Sequence, residues 1–140
     1  MGTALGIDIG GTGIKGAVVD TVTGDLVSAR LKLPTPAGGE PDAIVATVVE
    51  LIEKLGGIAD GMPVGVCFPA IVKGGKTMSA ANVSRKWIGL EAEKLFEKAI
   101  GHDIHFVNDA DAAGYAEVKY GAAKGVSGLV LLTTLGTGIG

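Results

Sequence analysis

The feature that most constrains the fold is a glycine-rich turn between two apolar segments near the N-terminus. Apolar residues alternate with glycine and aspartate along residues 5–10, and a second β-rich run follows the turn. Such alternation is typical of strands with one buried face. The sequence therefore predicts a strand over about Ala4–Ile9, a tight turn, and a strand over Ile14–Asp20 running back beside it.

The turn also carries the chemical groups of a phosphate site. On the polar face of the first predicted strand, Asp8 stands between Gly6 and Gly10, which leave room for a ligand to approach the backbone. The turn offers backbone N–H groups, the Thr12 hydroxyl and the Lys15 ammonium, while a carboxylate suits a cation such as Mg²⁺. A hairpin turn without a ligand is the alternative, because glycine favours turns in any case. The acid, the hydroxyl and the ammonium together favour a ligand site.

Residues Gly11–Gly16 match the dinucleotide-binding pattern G-x-G-x-x-G. That pattern requires a helix directly after it, so that the pyrophosphate lies at the helix N-terminus. Here the β-rich run Ala17–Asp20 follows instead. The sequence context therefore argues against a dinucleotide-binding fold.

Composition excludes several classes of protein. The 140 residues are 47% apolar and carry a net charge of −3 without a basic block. One globular domain is expected, with neither nucleic-acid binding nor a membrane span. No secretory leader is recognisable, and we expect a cytoplasmic protein. The single cysteine, Cys67, lies in an apolar run and is expected to be a core residue without a catalytic role.

The remaining periodicities predict alternating strands and helices after the hairpin. Together they indicate an α/β fold, a mixed sheet with three antiparallel N-terminal strands and packed helices. The predicted elements are a strand over Leu26–Leu33, a helix from Pro41 to the glycines at 56–57, a strand over Val64–Phe68, a loop over Pro69–Trp87, a helix over Leu90–Ile100, a strand over Ile104–Val107, a helix over Ala110–Tyr120 and a strand over Gly128–Leu135.

A short internal repeat suggests two related lobes. Residues 11–14 recur at 136–139, each time after an apolar segment. We therefore expect residues 1–124 to form an N-terminal lobe and residues 125–140 to begin a second one. On this view the chain is the front part of a longer protein.

A second candidate site lies where a predicted strand meets a predicted helix, at Asn108 and Asp109. In open α/β sheets ligands bind at that edge. Asp109 could also be simply an N-cap, which is a common role for aspartate. In the loop before it, Asn82 with Trp87 nearby could bind a sugar through hydrogen bonds and ring packing. His102 and His105 are expected to be structural, since no partner stands at metal-ligand spacing.

The order and spacing of these motifs resemble the ROK family of sugar kinases, most of all its members that use polyphosphate. The resemblance covers the whole chain and implies the actin-like, ribonuclease-H-like ATPase fold. The residues that carry it are Asp8-x-Gly10-Gly11-Thr12-x-x-Lys15, Ser79–Asn82 with Trp87, Asn108–Gly114 and Leu135–Gly140.

The resemblance implies a kinase that transfers a phosphoryl group from polyphosphate or ATP to the 6-hydroxyl of glucose. Asp8 would hold Mg²⁺ through water, and Asp109 would take the proton from the sugar hydroxyl. Asn82 and Asn108, with Asp109, would bind the sugar. The complete protein would be a homodimer. The expected phosphate-binding residues are Asp8, Gly10, Gly11, Thr12, Lys15, Gly136, Thr137 and Gly138.

The chain departs from the family pattern at two points. Pro69-Ala70 stands where the family often has Pro-Gly, and a Glu-x-Gly-His sugar motif is absent, so this chain alone is expected to be inactive. The alternatives are a sugar-sensing repressor, which needs a helix-turn-helix before the first strand, and a non-catalytic actin-like module. A weak basic track for polyphosphate is also conceivable at Lys73, Lys76, Arg85 and Lys86, although scattered surface cations are the simpler interpretation.

Overall fold

The computed structural model describes residues 2–135 of the chain. Short 3₁₀ turns occupy Ala37–Gly39 and Arg85–Trp87. The strands and helices, in chain order, are β1 (Thr3–Ile9), β2 (Gly13–Asp20), β3 (Leu31–Pro34), α1 (Pro41–Lys54), β4 (Val64–Phe68), β5 (Val72–Lys73), β6 (Lys76–Thr77), α2 (Ala92–Ile100), β7 (His105–Asn108) and α3 (Asp109–Tyr120).

The main sheet is mixed and has the strand order β3-β2-β1-β4-β7. The pairs β1–β2 and β2–β3 are antiparallel, whereas the pairs β1–β4 and β4–β7 are parallel. The predicted hairpin and the predicted mixed sheet are both confirmed. Because β1, β4 and β7 are parallel, their carboxyl ends meet at one edge of the sheet.

Helices α1 and α2 cover one face of the sheet and bury its core. Alternate residues of β1 and β4, such as Ile7 and Val66, point into this core and are 1% exposed. The aromatic ring of Trp87 packs between those of Phe68 and Phe96. Its centroid lies 4.4 Å from that of Phe68 and 5.9 Å from that of Phe96. Removing this apolar surface from water is the main stabilising term of the lobe.

The other face of the sheet is more open and carries polar groups. Asp8 and Cys67 lie on it, because they alternate with the buried residues of their strands. Helix α3 crosses this face, and the Tyr120 hydroxyl donates to the Thr21 carbonyl oxygen at 2.5 Å. No described residue of α3 is buried. The sheet is thus sealed on one face and accessible on the other.

The third strand is shorter than predicted, because a side chain interrupts its pairing with β2. The Val18 N–H donates to the Ser28 hydroxyl at 2.9 Å, and Leu26 forms only an isolated bridge with Val19. Regular pairing begins at Leu31 and includes Pro34. Proline is compatible with this position because β3 is an edge strand.

Two further predictions are wrong in detail. The predicted loop over 69–87 contains the β5–β6 hairpin and the second 3₁₀ turn. The segment 128–134 is not a strand, and its Leu129 is 98% exposed. A strand requires a hydrogen-bonded neighbour, and within residues 2–135 no strand lies beside this segment. The proposed division into lobes at residue 124 stays a prediction. Among the described helices, none has both the length and the apolarity to cross a membrane.

Candidate functional site

Asp8 lies near the carboxyl end of β1, in the middle of a row of paired residues that crosses the open face. Its register partners are Lys15 on β2 and Cys67 on β4. The Lys15 ammonium donates to the Asp8 carboxylate at 3.3 Å, and the two side chains are 39% and 47% exposed. An ion pair this exposed adds little stability. Both groups therefore remain accessible to a ligand.

The glycine turn is closed by its own backbone and leaves its tip open. The Gly10 N–H donates to the Gly13 carbonyl oxygen at 3.0 Å, and the Thr35 hydroxyl donates to the Gly10 carbonyl oxygen at 2.6 Å. Gly11 and Thr12 are exposed. Their N–H groups donate to no acceptor among residues 2–135. Free amides on a rigid turn are suited to bind an anion.

Asn82 is brought to this turn from the loop that precedes α2. A Cβ atom added at Gly11 would lie 3.1 Å from the Cβ atom of Asn82. A polar cavity of about 320 Å³ opens beside them, at the lower end of the volumes of small-molecule sites. It is lined by Gly11, Thr35, Pro36, Ala37, Gly38, Gly39, Asn82 and Val83.

Asn108, rather than Asp109, is the N-cap of α3. Its side-chain oxygen accepts from the N–H groups of Ala110 at 2.9 Å and Asp111 at 3.1 Å, and its amide donates to the Ala70 carbonyl oxygen at 2.9 Å. These bonds use both lone pairs and one of the two N–H groups. Asn108 therefore has one side-chain N–H group without a partner among the described residues.

Asp109 is the first residue of α3 and is exposed at the carboxyl end of β7. One of its carboxylate oxygens accepts from the Ala110 N–H at 2.8 Å. The other oxygen has no partner among the described residues. Asp109 thus presents a carboxylate oxygen on an otherwise fixed side chain, two strands away from Asp8.

Cys67 lies between the carboxylates of Asp8 and Asp109, and the charges of both affect its thiol. Burial raises the pKa of the Cys67 thiol from its ordinary value of 9.0 to about 12, and the negative charges of Asp8 and Asp109 act in the same direction. The thiol donates to the Ile7 carbonyl oxygen at 3.4 Å. Cys67 is therefore a neutral, half-buried residue in the floor of the site, and the expectation that it belongs to the core is wrong.

Trp87 cannot pack against a sugar, and that prediction is wrong. Its side chain is fully buried and stacks on Phe96 with the ring planes 15° apart. Its indole N–H donates to the Gly39 carbonyl oxygen at 2.8 Å. The residue belongs to the core below the Asn82 loop.

The structure does not support the basic track in the same loop. Lys76 pairs with Glu91 at 3.4 Å, and Lys86 pairs with Glu40 at 2.7 Å. Two of the four cations are thus neutralised by nearby carboxylates. The expected phosphate-binding residues Gly136, Thr137 and Gly138 lie outside the described residues.

The surroundings of Asp8 can be tested for their fit to Mg²⁺, the cation that the sequence predicts there. Within the described part of the chain no three His, Cys, Asp or Glu side chains form a metal-binding group. Mg²⁺ commonly keeps several waters and binds through one or two carboxylates together with substrate phosphates. A single half-exposed carboxylate beside open amides fits that mode of binding.

The amino-acid sequence matches a known protein family and individual relatives. A model of the ROK family matches residues 4–140. The chain is 46% identical over 137 residues to a polyphosphate glucokinase of Mycobacterium tuberculosis, covering 97% of this chain and 51% of that relative.

Two solved structures resemble the fold. An inorganic polyphosphate/ATP-glucomannokinase from Arthrobacter sp. strain KM superimposes with a TM-score of 0.95 at 44% identity, covering 100% of this chain and 57% of that one. A glucokinase from Streptomyces griseus, in complex with glucose and AMPPNP, superimposes with a TM-score of 0.77 at 27% identity, covering 99% of this chain and 43% of that one. The chain thus spans about half the length of the relatives that it matches.

Proposed function

The chain belongs to the ROK family and has the actin-like ATPase fold of its sugar kinases; from this premise we propose that it forms the donor-binding and proton-accepting part of a glucokinase. The full-length protein would transfer a phosphoryl group from polyphosphate or ATP to the 6-hydroxyl of glucose. The donors and the sugar follow from the names of the relatives in Mycobacterium and Arthrobacter.

One observation carries the proposal: Asp8, on β1, and Asp109, directly after β7, stand at one edge of the sheet with only β4 between β1 and β7. Neighbouring strands are about 4.8 Å apart, so the backbones of β1 and β7 are separated by roughly 10 Å. That gap can hold a transferring phosphoryl group and the hydroxyl that receives it. The two carboxylates can thus serve opposite ends of one transfer.

On the donor side, the free N–H groups of Gly11 and Thr12 bind phosphate oxygens. The Thr12 hydroxyl and the Lys15 ammonium supply further donors, and Lys15 is already held in place by Asp8. Asp8 would hold Mg²⁺ through its waters; the cation, when bound, neutralises charge on the donor phosphates. Gly10, whose carbonyl oxygen is fixed by Thr35, keeps the turn in shape.

On the acceptor side, Asp109 takes the proton of the 6-hydroxyl as that oxygen attacks phosphorus. Asn82 and the remaining N–H group of Asn108 bind other sugar hydroxyls and fix the orientation of the ring. Phosphoryl transfer depends mainly on positioning and charge stabilisation, so these few polar groups on rigid elements suffice. Gly136, Thr137 and Gly138 would complete the phosphate site.

The proposal is tested by Asp109→Asn in the full-length protein, with Asp111→Asn as the matched control. The amide keeps the acceptor for the Ala110 N–H but cannot take a proton. We expect kcat to fall about 10²–10⁴-fold, the usual contribution of a general base, with little change for the control. Turnover within a few fold of wild type would overturn the role of Asp109. Absence of any glucose phosphorylation by wild type, with either donor, would instead favour a non-catalytic module.

Two expectations about the complete protein stay predictions: that it is a homodimer, and that it acts in the cytoplasm. Sedimentation equilibrium of the full-length protein would test the first, and fractionation of cells the second.

A further inference from the structure

We propose that Lys32 on β3 is a second lysine of the donor site and binds the anionic phosphate chain together with Lys15. The inference rests on the proposed function, because it assigns a further residue to the same site. The ligand class is a chain of phosphates, whether inorganic polyphosphate or the phosphate tail of a nucleotide.

The register of the sheet places the two lysines side by side. Lys32 is the direct partner of Lys15 across the antiparallel pair β2–β3, and Lys15 is the direct partner of Asp8. Directly opposite residues in such pairs have Cβ atoms about 4.5–5.5 Å apart on the same face. Lys32, Lys15 and Asp8 therefore form one row of charges on the open face of the sheet.

The side chain of Lys32 extends along the glycine turn. A Cβ atom added at Gly13 would lie 2.3 Å from the Lys32 Cε atom and 3.3 Å from its Nζ atom. Only glycine at position 13 leaves room for this conformation. The ammonium thus lies beside the turn whose tip carries the open N–H groups of Gly11 and Thr12.

The charges of this row are not balanced by the protein. Asp8 pairs with Lys15 at 3.3 Å, and no carboxylate among residues 2–135 pairs with Lys32. Like charges placed directly opposite each other destabilise a sheet, so this arrangement costs stability without a ligand. Four of the other exposed lysines each pair with a glutamate: Lys54, Lys76, Lys86 and Lys94. A multiply charged anion between the two lysines would offset the repulsion.

The test compares Lys32→Gln with Lys98→Gln in the full-length protein. Lys98 is also an exposed lysine, but it lies on α2, on the opposite side of the sheet. Binding of inorganic tripolyphosphate is measured by titration calorimetry at low salt. We expect Lys32→Gln to bind about tenfold more weakly, which corresponds to about 1.4 kcal/mol, and Lys98→Gln to bind like wild type.

Three further readouts separate charge recognition from a structural effect. Lys32→Arg should restore most of the binding. The difference between wild type and Lys32→Gln should shrink as salt is raised, because an exposed cation is screened. In turnover, the KM for polyphosphate should rise while the KM for glucose is unchanged.

The outcomes distinguish this inference from the proposed function. Wild type that binds tripolyphosphate, with Lys32→Gln binding equally well, would overturn the role of Lys32 and leave the proposed function intact. Wild type that binds neither tripolyphosphate nor ATP would overturn the proposed function, and the inference with it.

Discussion

The indole N–H of Trp87 donates to the Gly39 carbonyl oxygen at 2.8 Å, in a bond buried inside the protein. The same carbonyl oxygen accepts from the Ser84 N–H at 3.2 Å. These bonds tie the segment that precedes α1 to the 3₁₀ turn that follows Asn82. Trp87 therefore positions the candidate sugar-binding loop from below, although it cannot contact a sugar itself.

We expect Trp87→Phe to lower the free energy of unfolding by about 1–3 kcal/mol, because it removes a hydrogen bond and leaves a cavity. Urea denaturation would measure the change. Tyr115→Phe is the control, since Tyr115 is 81% exposed and surface substitutions usually stay within about 0.5 kcal/mol. Equal stabilities of Trp87→Phe and wild type would contradict the buried role.

Local patterns in the sequence were sufficient to predict most of the fold. The alternation in β1 and the helical stripe of α1 each reflect burial on one face, which a single segment reveals. The prediction failed where distant groups decide the structure. The Ser28 hydroxyl takes the Val18 N–H and shortens β3, and the burial of Trp87 depends on Phe96 and Gly39.

The candidate site divides in the same way. Asp8 and Lys15 belong to the glycine-rich segment and Asp109 stands at a strand–helix junction, and those contexts are visible in the sequence. Lys32 and Cys67 join the site only through the register of neighbouring strands. Register is fixed by strand pairing over the whole sheet, so neither residue could be assigned from its own neighbours in the chain.

Gly39 and Gly38 form a matched pair for testing the packing of the Asn82 loop. Both have positive φ, 57° and 81°, so alanine is strained at either position. A Cβ atom at Gly39 would lie 2.9 Å from the Val83 Cα atom, whereas a Cβ atom at Gly38 would have no other atom within 4 Å. We expect Gly39→Ala to be the more destabilising by about 1 kcal/mol or more. Equal unfolding free energies in urea would show that the loop adapts.

The Cys67 thiol should react slowly with alkylating reagents. Burial and the two neighbouring carboxylates raise its pKa to about 12, so the reactive thiolate is scarce at pH 8. Iodoacetamide should modify the native protein at least tenfold more slowly than the protein in urea. Since the folded thiol keeps its proton and the unfolded one loses it, stability should also fall as the pH rises from 9.0 towards 12. Equal alkylation rates would contradict this environment.

Substitutions of Asn108 can separate its two structural roles: the N-cap of α3 and the tether, which is the hydrogen bond from its amide to the Ala70 carbonyl oxygen. Asn108→Ala removes both the acceptor for the first turn of α3 and the donor to the Ala70 carbonyl oxygen. Asn108→Ser keeps a good N-cap but is too short for the tether. We expect alanine to cost about 2 kcal/mol and serine about 1 kcal/mol less than alanine. Two variants of equal stability in thermal unfolding would mean that the cap contributes nothing.

Asp8→Asn should strengthen anion binding in the absence of metal and raise the MgCl₂ concentration that turnover requires. The amide keeps the size of the side chain but removes the charge that offsets Lys15 at 3.3 Å, and Lys32 stands next in the row. Without metal, tripolyphosphate should then bind about fivefold more tightly, since one exposed charge at such a distance is worth about 1 kcal/mol. Turnover of the full-length protein should need a higher MgCl₂ concentration, because the carboxylate that we propose holds Mg²⁺ is gone. Calorimetry in EDTA measures the first effect and a MgCl₂ titration of the rate measures the second. Weaker metal-free binding would show that Asp8 shapes the turn rather than balancing its charge.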